Sequence, residues 1–63
     1  MSLKEIKNDL ISEAELLIYQ MRAAHINSDF GAINLTADSL SRVCKKLDMI
    51  RAEEERVSKA LGL

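Results

Sequence analysis

The sequence predicts an all-α protein, an antiparallel hairpin of two helices that dimerises into a four-helix bundle. Three features lead there. Apolar residues recur at spacings of three and four through almost the whole chain, the period of one helix face. Turn-forming residues gather in a single internal stretch, Asn27-Ser28-Asp29-Phe30-Gly31. The chain has 63 residues, one Cys, one His and no Pro or Trp. A chain this short buries only about 60% of the surface that its unfolded form exposes, so it needs a staple. One cysteine cannot close an internal disulfide, and one histidine with one cysteine cannot supply the usual four ligands of a structural zinc. Association with another chain is the staple left.

The first helix is expected over about residues 2–26, roughly 36 Å long at 1.5 Å per residue. Ser2 and Glu5 have the spacing of a capping box. Leu3, Ile6, Leu10, Ala14, Leu17, Ile18, Met21 and Ala24 fall on one face, with Ile11 at its edge. The turn is expected over about 27–33, where Gly31 supplies the positive φ that turns favour. The second helix is expected over about 34–61, capped by Asn34 or Thr36 and ended by Gly62; a start near Asp29 also fits the pattern through Ile33. Its face runs through Leu40, Val43, Cys44, Leu47, Ile50, Val57 and Leu61, a heptad-like seam. Two helices of similar length joined by a short turn pack antiparallel. In such a pair facing residue numbers total about 62, so Lys7 and Glu54 are expected to meet near the open end. The competing arrangement joins Arg51 to Glu54 on one helix.

A hairpin buries one stripe per helix, and this chain carries more. Leu16, Tyr19, Ala23 and Ile26 form a second stripe on helix one, extended by Phe30 into the turn; Leu35 and Met49 lie off the main seam of helix two. A helix that is apolar nearly all round is normally buried on more than one side. Leu16, Tyr19, Ala23, Ile26 and Phe30 are therefore the candidate contact residues, either as the core of a homodimer or as a site for a larger protein.

Little points to chemistry. His25, at the end of helix one, suits the carbonyls and dipole of a helix C-terminus better than general-base work, although Asp29 and Asp38 are near in sequence. Cys44 reads as a small core residue. Arg42, Lys45, Lys46 and, more loosely, Arg56 on the outer side of helix two are the candidate nucleic-acid contacts, and Asp38, Asp48 and Glu53 interrupt them. Nine Lys and Arg against ten Asp and Glu give a net charge of −1, which offers nucleic acid or an anionic membrane no long-range attraction. No apolar run reaches membrane-spanning length, and the N-terminus lacks the basic and apolar regions of a secretion signal. With a lone thiol, the expectation is a cytoplasmic protein with no cofactor, no metal and no small-molecule substrate. One hairpin has too few walls for an enzyme pocket.

Two resemblances extend this reading. The length and two-helix plan resemble the Rop-like plasmid copy-number regulators, dimeric four-helix bundles that bind RNA hairpin pairs. That resemblance implies an RNA-binding face of basic and polar side chains on one helix pair; helix one here presents Leu16 and Tyr19, with Lys4 and Arg22 well separated. Val43-Cys44-Lys45-Lys46-Leu47-Asp48-Met49-Ile50 is similar to the Ser-x-x-Leu-Asp signature of small hairpin phosphatases that act on sporulation response regulators, with Cys44 where that family has Ser. The reading the residues favour is a small, non-enzymatic regulatory or adaptor protein that self-associates and acts through helix-face contacts. An RNA- or DNA-binding regulator and a response-regulator phosphatase are the alternatives.

Overall fold

A computed structural model describes residues 2–62. They form two helices packed against each other, α1 (Leu3–Ile26) and α2 (Phe30–Ala60), with no strand among the described residues. The 1–63 hairpin reading thus extends one residue beyond the described range at each end. The Cα atoms span 50 × 16 × 16 Å with a radius of gyration of 15.1 Å; a compact chain of this length has about 11 Å. The molecule is a two-helix rod.

α1 begins where the capping box places it. The Ser2 side chain accepts the Glu5 N–H at 3.2 Å, satisfying one of the free donors of the first turn. α1 ends in a Schellman motif: Asp29 N–H donates to the Ala24 carbonyl at 2.9 Å and Ser28 N–H to the His25 carbonyl at 3.0 Å. Ser28 takes the left-handed conformation that closes it, with φ 54°. Asn27 adds a side-chain bond from Nδ2 to the Ala23 carbonyl at 3.0 Å.

The connection is shorter than the sequence suggests. Asp29 ends one helix and starts the next, because its carboxylate accepts the Ala32 N–H at 3.1 Å as the N-cap of α2. The turn is therefore Asn27–Asp29 and not 27–33, and α2 starts at Phe30 and not near 34. Gly31 lies inside the first turn of α2, while the residue with positive φ is Ser28. Thr36 is no cap: its hydroxyl donates back to the Ala32 carbonyl at 2.7 Å, within the helix. With 31 residues against 24, α2 is the longer helix. At its far end Gly62, with φ 73°, stands just past the C-cap Leu61 and donates to the Lys59 carbonyl at 3.1 Å, the terminator that the sequence predicts.

The antiparallel register follows the expectation. Lys7 Nζ lies 3.0 Å from Glu54 Oε1, across the open end. Arg51 pairs instead with Glu55, four residues on, at 3.4 Å. The seam between the helices is thin. Leu10, Ala24 and Val43 are its only buried apolar side chains among the described residues, with Val43 at 3% exposure. Ala14, Leu17 and Met21 of α1 and Ile33, Leu40, Leu47 and Ile50 of α2 are half-buried beside them. Cys44, read as a core residue, is exposed. Val43 occupies the seam, and the next residue is rotated about 100° round the helix, which carries the thiol onto the flank.

Candidate interaction surface

The five residues expected to make contacts are all exposed: Leu16, Tyr19, Ala23, Ile26 and Phe30. Ile26 is 80% exposed, the most open large apolar side chain among the described residues. Leu16, Tyr19, Ala23 and Ile26 repeat at helical spacing along α1, turned away from the seam. Phe30 is not a turn residue; it is the first residue of α2, across the connection from Ile26. Leu35 and Met49 are exposed on α2. This surface holds the two aromatic residues of the chain, and both stand in solvent.

A second apolar surface runs beside the seam. Ile11 and Ile18 on α1 and Cys44 on α2 are exposed, and the two isoleucines lie seven residues apart, on one line of the helix. Sequence reading places Ile18 on the main face and Ile11 at its edge. In the structure both are left open, because the seam closes through Leu10, Ala14, Leu17, Met21 and Ala24 instead.

Among the described residues, shallow grooves indent the rod, and two of them stand out. The larger, of about 510 Å³, is lined by Met21, Arg22, His25 and Ile26 of α1 and Ile33 of α2. The other, of about 420 Å³, lies at the open end between Leu3, Lys4, Lys7 and Glu54. Binding sites for small molecules enclose most of their ligand, whereas four of the five residues of the larger groove belong to one helix. His25 borders this groove, and the carboxylates near it in sequence are engaged elsewhere: Asp29 caps α2 and Asp38 pairs with Arg42 at 2.7 Å. No nucleophile, base and orienting group converge at either groove.

The basic residues are exposed except Lys7, which is half-buried beside Glu54. Arg42 is held by Asp38, Arg56 by Glu53 and Arg51 by Glu55, while Lys45 and Lys46 take part in no ion pair among the described residues. In the segment that resembles the phosphatase signature, Cys44 and Asp48 are exposed and Leu47 is half-buried. Among the described residues no helix is long and apolar enough to cross a membrane, and no three His, Cys, Asp or Glu side chains gather as metal ligands. Comparison with known protein families, with curated proteins and with solved structures gave no match.

Proposed function

We propose that this chain is a small, non-enzymatic regulatory or adaptor protein of the cytoplasm, which self-associates as a dimer and acts through helix-face contacts with a larger protein. The observation that carries the reading is the imbalance of apolar surface. Three apolar residues are buried among the described residues, while twelve large ones stand more than a third exposed. A soluble monomer rarely leaves so much open, and extended apolar patches mark interaction sites. A dimer of hairpins would complete a four-helix bundle and cover part of that surface. The rest, rich in aromatic and long aliphatic side chains, has the composition of a protein-binding patch.

Sedimentation equilibrium at micromolar concentration tests the reading. The expected mass is twice the 7.1 kDa of the chain. A stable folded monomer would remove self-association from the proposal. RNA retention that falls steeply with salt and disappears in the Lys45→Glu/Lys46→Glu chain would transfer the function to nucleic acid. Phosphate release from a receiver domain that depends on Asp48 would transfer it to a response regulator.

A further inference from the structure

We propose that a second copy of this chain covers the flank formed by Ile11, Ile18, Ala37 and Cys44, and that Tyr19 and Ile26 remain outside that dimer. The inference rests on the self-association proposed above and adds which face performs it.

The first argument is area. The hairpin exposes 5156 Å², whereas a folded monomer of its mass exposes about 4,100 Å². The surplus is about 1,000 Å² per chain, so two copies that cover it bury about 2,000 Å² in total, where obligate homodimer interfaces begin. The rod shape accounts for the surplus, and a second rod laid alongside removes it.

The second argument selects the side. Two flanks border the seam. Seven-residue spacing aligns Lys4, Ile11, Ile18 and His25 of α1 on one of them, and the antiparallel register sets Ala37, Cys44, Arg51 and Ser58 of α2 opposite. The other flank carries Ile6, Glu13 and Gln20 opposite Ala32, Ser39, Lys46 and Glu53. Its centre is charged or polar, so a copy seated there would desolvate Glu13 and Lys46. The first flank has no charge between Ile11 and His25 on α1 or between Ala37 and Cys44 on α2. The hairpin's own packing points the same way. On α2, Ala32, Ser39 and Glu53 of the polar flank are half-buried and Lys46 is exposed, whereas Ala37, Cys44 and Arg51 of the apolar flank are exposed and Ser58 is half-buried. Both grooves lie on this side of the seam, one at Lys4 and the other at His25, the latter extending past the flank to Arg22 and Ile26.

The third argument is position. The Lys7–Glu54 register sets Ile18 level with Cys44 and Ala37 near His25. Bounded by Arg51, level with Ile11, and by His25, level with Ala37, the stretch has its middle at Ile18 and Cys44. A twofold axis that centres this stretch on its own copy passes between those two residues and covers both. Tyr19 lies about 100° further round α1 from Ile18, on the side away from the seam.

The adjacent residues Ile18 and Tyr19 give the test. Sedimentation equilibrium compares the unmodified chain with Ile18→Glu and Tyr19→Glu. Ile18 is 47% exposed in the hairpin and contributes from both copies, so Ile18→Glu is expected to raise the dimer dissociation constant about 100-fold. Tyr19→Glu is expected to change it by less than about threefold, the range of a residue outside the contact. A measurement on the unmodified chain stands even where Ile18→Glu impairs folding: the maleimide reaction rate of Cys44, the sole thiol, should rise several-fold as the dimer is diluted to monomer. A chain that is monomeric throughout overturns both the self-association and the face. A dimer that Ile18→Glu weakens no more than Tyr19→Glu, or in which Cys44 reacts at one rate at every concentration, overturns the face alone.

Discussion

Leu10 and Leu35 are the same residue in opposite settings. Leu10 sits in the seam at 9% exposure, and Leu35 stands outside at 71%. The contrast extends along the rod. The seam mixes the small side chains of Ala14, Ala24, Thr36 and Val43 with larger ones that it only half buries, among them Leu17, Met21, Ile33, Leu40, Leu47 and Ile50. Large side chains, including Tyr19, Ile26, Phe30, Leu35 and Met49, are outside. A hairpin built to stand alone would place its largest apolar groups between its helices, because stabilisation follows the apolar area removed from water. Here large apolar groups stand outside the seam as well as in it, as in one half of a larger core. The direct test is a matched pair of truncations, compared by urea unfolding at one fixed protein concentration. Leu10→Ala is expected to lower stability by about 2–3 kcal/mol, and Leu35→Ala by less than about 0.5 kcal/mol. Equal losses would mean that the outside is covered as fully as the seam.

What the sequence made legible follows the same division. Periodicity located both helices, and local chemistry located three of their four ends: the Ser2 cap, the stop near Ile26 and the Gly62 terminator. The pairing of Lys7 with Glu54 was readable because two charges on otherwise apolar faces had numbers that an antiparallel register makes equal in height. The start of α2 was harder. Gly31 stands in a cluster of turn formers and looks like the residue that takes positive φ, yet Ser28 takes it and Gly31 is helical. The signal that could have decided is Asp29, three residues before Ala32, the spacing by which a carboxylate caps a helix. Cys44 was misplaced because a helical wheel assigns a face about 100° wide, while the seam admits only the line through Val43 and its neighbours. The exposed stripe from Leu16 to Ile26 was legible from spacing. Its occupant was not, since complementarity belongs to two surfaces and the sequence supplies one.

The two helix ends sharpen the comparison at smaller energies. Both close with a residue in the left-handed region, Gly62 with φ 73° at one and Ser28 with φ 54° at the other. Glycine adopts that conformation freely, and a residue with a Cβ is strained in it. Ser28→Gly is therefore expected to raise the thermal stability of the hairpin, by about 1 kcal/mol. Gly31 presents the reverse case, a helical residue without a side chain. A Cβ there would meet Asp29 Oδ1 at 3.7 Å, an ordinary contact. Gly31→Ala should add about 0.5 kcal/mol through its lower freedom in the unfolded chain. Thermal unfolding of the two variants checks both signs. If Ser28→Gly gained nothing, the left-handed turn would not be a cost that the seam has to offset.

The smallest effect belongs to the Lys7–Glu54 pair, the one ion pair that crosses the seam among the described residues. The Lys7 and Glu54 side chains are 41% and 43% exposed, so water screens them and the pair contributes as surface pairs do, about 0.5 kcal/mol. Its consequence for the fold is positional. Both residues hold seam positions at the open end, where a slide of one helix along the other would set each charge against an apolar side chain. A double-mutant cycle with Lys7→Ala and Glu54→Ala isolates the coupling. Within α2 the cycle is clean, because Arg51, three residues before Glu54, is engaged by Glu55. The coupling should shrink towards zero at about 1 M salt, where the screening length falls to about 3 Å. A coupling that survives high salt would mean that the open end is buried in the assembled protein, and that the second copy extends beyond the Ile11–Ile18 stretch to cover Lys4 and Lys7 as well.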